Sequence, residues 1–239
     1  MVRYLDSDNF GTSNLGWLFS RFHFSFAGYY NPENIRFGAL RVMNDDLVKP
    51  ETGFDTHPHE NMEIISYVVD GRLTHKDSMG NEHTLERGQV QYMSAGTGVW
   101  HSEYNNDKEE ILRFFQVWIL PDKAGHKPNY GDYRFNWEER IGRWLPIASG
   151  DNNKEFPIQV HQDIHFYATE IKAGESLDFK VGKDRQAYLA IIEGSAEVKG
   201  YTMKMRDAME ITEEDFTLKA LSDTHAVVME MKKDATGND

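Results

Sequence analysis

Cysteine is absent from the 239-residue sequence, and this absence limits the chemistry that the chain can perform. Without cysteine there is no disulfide, no thiolate metal ligand and no thiol nucleophile. A metal ion bound by this chain must therefore be held by nitrogen and oxygen atoms, which come from histidine and from the acidic side chains.

Basic residues are outnumbered by acidic residues. The chain has 26 Lys and Arg residues against 39 Asp and Glu residues, so its formal net charge at pH 7 is −13. An acidic surface repels the phosphate backbone of nucleic acids, and no basic stretch of the sequence offsets this repulsion. We therefore expect no direct binding to nucleic acid, and we interpret most of the negative charge as a solvated surface.

Long apolar runs are also missing. The longest, within residues 111–120, is interrupted by polar side chains and is too short to span a bilayer. The first ten residues contain no apolar stretch of the kind found in secretion signals. With only 7 prolines and no low-complexity tract, extended disorder is not expected either. These features predict a soluble, cytoplasmic protein without a membrane segment.

What the sequence does contain is a series of short segments rich in Val, Ile, Tyr, Phe and Trp, separated by turns that contain glycine. The clearest of these segments are residues 63–69, 90–93, 112–120, 166–171, 187–192 and 226–231. No segment shows a long apolar repeat of 3.6 residues, and short helical turns are expected only near 32–35 and 137–141. The sequence therefore predicts an all-β protein with a sandwich or jelly-roll architecture.

A weak internal repeat indicates two halves. Residues 64–71 and 187–194 are both apolar segments that end in an acidic residue followed by glycine. Residues 129–153 are irregular, polar and rich in turn-forming side chains, which is typical of a connection between domains. We therefore predict domain boundaries at residues 1–135 and 136–239.

The distribution of histidine is the most informative feature of the sequence. His57 and His59 are two residues apart, and the same spacing separates His101 from Glu103. In an extended strand, residues i and i+2 point to the same face, so two facing strands would bring three imidazoles and a carboxylate together. Glu63 joins that face if the strand is continuous. This pattern predicts a metal site; the alternative is two pairs of surface or hydrogen-bonded side chains.

The repeat also indicates which half would bind the metal. When Gly71 is aligned with Gly194 without gaps, the second half has other residues at the positions of the candidate ligands. Lys180, Gly182 and Gln186 then stand at the positions of His57, His59 and Glu63. If the halves are duplicates, the second has lost the metal chemistry.

Longer motifs surround both histidine clusters. One runs from Gly53 through THPH to Glu63 and the Asp-Gly pair at 70–71, and the other runs from Gly88 through MSAGTG to HSE at 101–103. The two are similar to the first and second cupin motifs. The wording, THPH followed by MSAGTGVWHSEYN, resembles the pirin family, in particular its bacterial quercetinase-like branch. The resemblance is dense over the N-terminal half, while the C-terminal half matches only as a divergent second cupin.

The resemblance implies a bicupin fold, with two jelly-roll β-barrels in one chain. Residues 1–135 would form the N-terminal metal-binding cupin barrel and residues 136–239 a degenerate barrel without metal. One divalent transition metal would be held by His57, His59, His101 and Glu103. Other cupins use the carboxylate of the first motif, here Glu63, which in a pirin becomes a group beside the ligands. The metal stays open among Fe, Mn, Ni, Co, Cu and Zn.

The resemblance further implies quercetin 2,3-dioxygenase activity, in which O2 opens the ring of a flavonol-like substrate and carbon monoxide is released. Glu103 and Glu63 are the candidate catalytic carboxylates, since either could accept the proton of an enolic hydroxyl group. Two alternatives stay open. One is a metal-binding regulatory protein that acts on protein partners; the other is a cupin enzyme for a different enolic substrate. We expect a monomer.

Other residues receive less specific interpretations. Seven aromatic residues are candidates for the lining of a substrate pocket, although core packing is the commoner role: Phe24, Phe26, Tyr67, Tyr92, Trp100, Phe115 and Trp118. His75 and His83 flank a turn at 78–81 and are predicted to be exposed hairpin residues. His161 and His165 are a weak candidate for a second metal site, and the role of His23 is open.

Overall fold

The computed structural model describes residues 1–151 and 153–233, and strands dominate it. The first twelve strands are β1 (Val2–Leu5), β2 (Gly11–Asn14), β3 (Leu18–Phe22), β4 (Leu40–Val48), β5 (Thr52–His59), β6 (Glu63–Asp70), β7 (Leu73–Asp77), β8 (Glu82–Leu85), β9 (Val90–Ser94), β10 (Val99–Asn105), β11 (Leu112–Ile119) and β12 (Asn129–Tyr133). The others are β13 (Leu145–Ser149), β14 (Ile158–Gln159), β15 (Ile164–Ile171), β16 (Ser176–Phe179), β17 (Arg185–Glu193), β18 (Ser195–Val198), β19 (Tyr201–Lys204), β20 (Ala208–Thr212), β21 (Phe216–Ala220) and β22 (Thr224–Lys232).

Helical structure within the described residues is limited to two short 3-10 helices, Ser7–Asn9 and Trp137–Arg140. The all-β prediction is confirmed, and each of the six segments singled out in the sequence coincides with a strand, Leu120 alone lying one residue beyond the end of β11. The second 3-10 helix matches the helical turn expected near 137–141, whereas residues 32–35 form a turn that is not helical. Across residues 1–151 and 153–233, no helix has the length and apolar character needed to cross a membrane.

Backbone contacts divide the chain into two units. One unit consists of Phe10–Phe135, and the other consists of Met1–Asn9 together with the described residues from Asn136 onward. Residues 1–9, predicted to belong to the first half, lie in the second unit, where β1 pairs with β20 and Leu5 is opposite Ala208. The assignment of metal binding to the first domain alone stays a prediction.

Each unit combines a seven-stranded sheet with a four-stranded sheet. In the first unit the orders are β12-β9-β6-β11-β4-β3-β2 and β5-β10-β7-β8. In the second they are β1-β20-β17-β22-β15-β13-β14 and β16-β21-β18-β19. The strands that carried the sequence repeat, β6 and β17, are both interior strands of the larger sheet. Each is followed by a glycine with positive φ, 75° at Gly71 and 80° at Gly194. The interior strands of the two units thus follow the same order, whereas the edges differ: β13 and β14 pair in parallel, while β2 and β3 pair antiparallel.

The apolar face of each strand determines where the core lies. In the first unit, alternating side chains of β7 bury Leu73, His75 and Asp77 and leave Thr74 and Lys76 at the surface side. One apolar cluster of this unit consists of Leu18, Val48, Val68, Leu73, Leu85, Leu112 and Phe114. The strand β5 lies at an edge of the smaller sheet, which is why it tolerates Pro58 in its interior.

The stretch interpreted as a connection between domains, residues 129–153, is more ordered than its composition suggested. β12 pairs with β9 in the first unit and β13 pairs with β15 in the second, so the prediction of an irregular segment is wrong for these residues. An edge strand such as β12 is held by backbone hydrogen bonds and needs few apolar side chains, so polar, turn-like residues do not prevent it from pairing.

A tight turn connects β9 to β10. Gly96 and Gly98 have φ values of +46° and +128°, a region that residues with a side chain rarely adopt. A Cβ on Gly96 would also overlap the carbonyl oxygen of His126. Because this turn directly precedes Val99, it fixes where the side chains of β10 are placed.

Candidate metal centre

The four-stranded sheet of the first unit gathers polar side chains on one face. In β10, His101 pairs with His57 of β5 on one side and with Asp77 of β7 on the other. Glu103, two residues further on, lies opposite His75. An irregularity in the β5–β10 pairing between these two positions shifts the register by one residue, which is a common way to redirect side chains beside a functional site.

Three imidazoles meet on this face, as the two-strand argument predicted. The ring centroids of His57, His59 and His101 lie 4.5 to 4.8 Å from one another. Each ring offers a nitrogen atom, and these three atoms lie within 4.8 Å of one another. Nε2 of His57 is 3.0 Å from Nε2 of His101. Such an arrangement is that of ligands around one small cation.

The protonation states of these rings suit a metal. Burial, followed by repulsion from the other two imidazoles, lowers the pKa of His59 to about 4. Burial, followed by His57 and His75, lowers the pKa of His101 to about 3. The rings of His59 and His101 are therefore neutral at pH 7, the form in which imidazole binds metals. The backbone oxygen of Asp55 is 2.7 Å from Nδ1 of His57 and accepts its hydrogen, which leaves the lone pair of that ring on Nε2.

Unsatisfied nitrogen atoms provide a direct test of whether a metal fits. Nε2 of His59 and Nδ1 of His101 are buried and have no hydrogen-bond partner within the described part of the chain. A buried polar atom without a partner is costly, and most such atoms in folded proteins are satisfied. A cation bound at Nε2 of His59 removes one of these two penalties, so the residues present fit a bound metal ion.

Glu103 is buried and held by three donors. Its Oε1 accepts hydrogen bonds from Ser66 at 2.8 Å and from Gln91 at 2.5 Å, and its Oε2 accepts one from Gln116 at 2.6 Å. A carboxylate has about four acceptor positions, so one position remains on Oε2. An oxygen of Glu103 lies within 4.8 Å of ligand atoms on His101 and His75. The carboxylate can therefore contribute one further ligand beside the imidazoles.

Glu63 lies elsewhere. β5 ends at His59 and β6 begins at Glu63, and between them Asn61 adopts a φ of +49°, so the strand is not continuous. The carboxylate of Glu63 accepts hydrogen bonds from the hydroxyl groups of Tyr92 and Ser94, each at 2.7 Å. It belongs to neither group of side chains that could hold a metal.

His75 is where the sequence interpretation was wrong. It was predicted to be an exposed hairpin residue, but it is 0% exposed, and its Nε2 lies 3.2 Å from Oδ2 of Asp77. Although burial opposes ionisation, hydrogen bonds from Asn81, from His75 and from a backbone N–H lower the pKa of Asp77. The signal was present: His75 and Asp77 follow Leu73 at steps of two. His83, one strand away, is exposed as predicted and pairs with Asp132 at 2.9 Å.

Aromatic rings border the imidazoles. Trp118 contacts His59 edge to face at 4.9 Å between centroids, and Phe26 contacts Trp118 in the same manner at 5.3 Å. Of the seven aromatic candidates, the four that are buried in the core are Phe24, Tyr67, Tyr92 and Phe115. Trp100 is instead 54% exposed. Trp118 and Phe26 thus provide an aromatic surface beside the candidate ligands.

His161 and His165 do not form a second site with other ligands. Nδ1 of His165 is 2.9 Å from the hydroxyl oxygen of Ser149. Within residues 1–151 and 153–233, groups of three or more metal-ligating side chains occur only on the sheet that contains His101. His23, whose role was open, is fully buried between the rings of Phe10 and Phe115.

Two units, each built from a seven-stranded and a four-stranded sheet, define the class of bicupins. The smaller sheet of one unit carries a cluster of imidazoles and a carboxylate that could hold a metal. Family models agree with this assignment. Residues 6–119 match the model described as Pirin, and residues 146–231 match the model described as Quercetinase C-terminal cupin domain.

The chain is similar to several bacterial proteins along nearly its whole length. It is 44% identical over 233 residues to a Pseudomonas aeruginosa protein named "Putative quercetin 2,3-dioxygenase", covering 97% of this chain and 100% of that one. It is 35% identical over 232 residues to a quercetin 2,3-dioxygenase of Escherichia coli, covering 97% and 99%. Its structure matches that of the bacterial pirin YhhW of E. coli in complex with nickel(II), with a TM-score of 0.92, 34% identity and coverage of 98% and 100%.

The chain belongs to the pirin family. The predicted bicupin fold is confirmed.

Proposed function

We propose that this pirin is a metal-dependent dioxygenase with quercetin 2,3-dioxygenase activity. The observation that carries the proposal is the meeting of three imidazoles, His57, His59 and His101, among which Nε2 of His59 is buried without a hydrogen-bond partner in the described residues. The names of the relatives from P. aeruginosa and E. coli support the assignment of the reaction.

We assign the metal to His57, His59, His101 and Glu103. The three rings supply neutral nitrogen ligands and Glu103 supplies the free acceptor position of Oε2. A divalent transition metal bound there supplies positive charge that favours an ionised enol and, where it is redox-active, electron exchange with O2. Nickel(II) is the ion named in the related E. coli structure. For this chain we propose one divalent ion from the set Fe, Mn, Ni, Co, Cu and Zn.

Glu103 is the better of the two predicted catalytic carboxylates. It lies beside the imidazoles, whereas Glu63 belongs to neither group of side chains that could hold a metal. We therefore propose that Glu103 accepts the proton of the enolic hydroxyl group at Oε2, in place of the hydrogen bond from Gln116, and that Glu63 holds Tyr92 and Ser94 in place. The donors Ser66, Gln91 and Gln116 fix the orientation of Glu103.

The substrate that fits this site is a flat, enolic aromatic compound of the flavonol type. Trp118 and Phe26 present ring surfaces next to His59, and rings of this kind stack against aromatic ligands. Reaction with O2 would open the flavonol ring and release carbon monoxide. The predicted monomeric state and cytoplasmic location stay predictions, and elution at the size of a dimer would contradict the first.

The decisive experiment measures metal content and oxygen uptake on one sample. The purified protein is analysed by plasma mass spectrometry, reloaded with each of Fe(II), Mn(II), Ni(II), Co(II) and Cu(II), and tested with quercetin in an oxygen electrode. We expect about one metal per chain and metal-dependent uptake. His101→Ala should lose both, while His83→Ala, on an exposed ring of the same sheet, should retain both.

Two results would contradict the proposal in different ways. One metal per chain without oxygen uptake for any ion would favour the regulatory, partner-binding alternative or a different enolic substrate. Failure to bind any metal after reloading would remove the four-ligand centre itself.

A further inference from the structure

The pair formed by His75 and Asp77 lies beside the candidate ligands and has no role in the proposed reaction. In the β7–β10 pairing, His75 is opposite Glu103 and Asp77 is opposite His101. The ring centroids of His75 and His101 are 5.3 Å apart at an interplanar angle of 55°. A nitrogen of His75 lies within 4.8 Å of ligand atoms on His101 and Glu103.

Asp77 determines where the hydrogen of the His75 ring is placed. Its Oδ1 accepts hydrogen bonds from the backbone N–H groups of Met79 and Asn81, at 2.9 and 3.1 Å, and its Oδ2 accepts one from Nδ2 of Asn81 at 2.8 Å. A carboxylate surrounded by donors acts as an acceptor only. Nε2 of His75, 3.2 Å from Oδ2, therefore carries a hydrogen and donates it. The lone pair of the neutral ring is then on Nδ1.

Two nitrogen atoms on this face lack partners and complement each other. Nδ1 of His75 and Nδ1 of His101 are both buried without a hydrogen-bond partner in the part of the chain that the structure describes. Nε2 of His101 faces Nε2 of His57, on the side where the metal would bind. A ring that ligates through Nε2 carries its hydrogen on Nδ1 and normally donates it to an acceptor. His101 therefore has a hydrogen-bond donor, Nδ1–H, without an acceptor, and His75 has an acceptor, the lone pair of Nδ1, without a donor.

The other imidazoles and carboxylates do not provide this acceptor. His57 donates its Nδ1 hydrogen to the backbone oxygen of Asp55, and its Nε2 is on the side where the metal would bind, so neither nitrogen is available as an acceptor for Nδ1–H of His101. Glu103 accepts three hydrogen bonds, and its remaining position is the one assigned to the metal. Among these imidazoles and carboxylates, Nδ1 of His75 is the acceptor that remains for the Nδ1–H of His101.

We propose that His75, oriented by Asp77, accepts the Nδ1–H of His101 and so positions this ring to bind the metal through Nε2. His75 acts as a positioning residue and not as a ligand. The proposal rests on the proposed metal centre, but it is independent of the reaction assigned to that centre.

Metal affinity is the first test, and it requires no turnover. The variants are Asp77→Asn, whose amide can donate to Nε2 of His75 and force the ring hydrogen onto Nδ1, and His75→Gln. The control is His83→Gln, the same substitution at the residue opposite His75 on β8, which is exposed. Dissociation constants for Zn(II) and Ni(II) are measured by chelator competition. We expect Asp77→Asn to bind about 10- to 100-fold more weakly, as is usual when the partner of a ligating histidine is removed.

The control should match the wild type, and all three variants should still bind one ion per chain. Wild-type affinity in both Asp77→Asn and His75→Gln would overturn the proposal. A wild-type protein that binds neither ion would overturn the metal centre and this proposal together. Weaker binding confined to Asp77→Asn and His75→Gln supports both.

The position of the hydrogen atoms is the second test and separates positioning from general packing. Nitrogen-15 NMR of the Zn(II)-loaded wild type should show His75 protonated on Nε2 and His101 protonated on Nδ1. In Asp77→Asn the hydrogen of His75 should move to Nδ1. A wild-type His75 protonated on Nδ1 would overturn the proposal, and this measurement decides the matter even if a variant does not fold.

The visible spectrum of the Co(II)-loaded protein identifies a direct ligand. The proposal requires the same number of protein ligands in His75→Gln as in the wild type. Loss of one ligand in that variant would show that His75 binds the metal itself, and the positioning role would be wrong.

Discussion

The buried ring of His23 makes the stability of this protein depend on pH in a calculable way. Burial, opposed by Asp45, lowers the pKa of His23 to about 3, from 6.5 for an unperturbed side chain. Between these two values the unfolded chain binds a proton that the folded chain does not. Stability contributed by the neutral ring is therefore present above pH 6.5 and is lost progressively as the pH falls toward 3.

The size of the effect follows from the two pKa values. At pH 8 the contribution of protonation is negligible, and at pH 5 it destabilises the folded state by about 2 kcal/mol, rising to about 4 kcal/mol near pH 3. In His23→Gln this dependence disappears. The free energy of unfolding of the wild type should therefore fall by about 2 kcal/mol more than that of the variant between pH 8 and pH 5.

The assay is urea unfolding of the metal-free protein at several pH values, with the difference between the two proteins plotted against pH. The comparison uses the slope and not the absolute stability, because His23→Gln also changes packing against Phe10 and Phe115. Parallel curves for wild type and variant would refute the reasoning. So would an NMR titration in which the ring of His23 in the folded protein takes up a proton near pH 6.5.

Three further predictions concern the candidate site and its surroundings. Tyr92→Phe removes a donor to the buried carboxylate of Glu63 and should lower the free energy of unfolding by about 1–3 kcal/mol in urea; an unchanged midpoint would contradict this. Gly96→Ala places a side chain in a strained and crowded turn and should cost at least about 1 kcal/mol by the same measurement, whereas Gly131→Ala, which has open space, should cost less. Glu103→Gln should weaken binding of Zn(II) by at least about 10-fold in chelator competition, and equal affinity would exclude this carboxylate as a ligand.

Pairs of residues two apart made much of the site predictable. The spacing of His57 from His59, and of His101 from Glu103, places each pair on one face of a strand whatever the rest of the fold does. For the two pairs to form one site, β5 and β10 must also be neighbours. The sequence could not show this, but the resemblance to pirins implied it. The six apolar segments singled out in the sequence were also located correctly, because these buried strands are nearly continuous apolar runs.

The errors came from residues whose environment depends on distant parts of the chain. Glu63 would share the face of His59 only if the strand were continuous, and the left-handed conformation of Asn61 breaks it. His75 looked like a polar hairpin residue, because local sequence does not show that β10 packs beside it. The strand β12 was missed because an edge strand held by backbone hydrogen bonds can have the composition of a loop.

The pairing of β1 with β20 has a consequence for synthesis of the chain on the ribosome. Val2–Leu5 has no strand partner until residues 208–211 have been made. At typical rates of about 5–20 residues per second, this delay is roughly 10–40 s. During that time the backbone N–H and C=O groups of β1 must be hydrated or bound by another factor. The seven-stranded sheet of the second unit is therefore completed only after most of the chain has been translated, whereas every strand partner of the first unit lies within Phe10–Phe135.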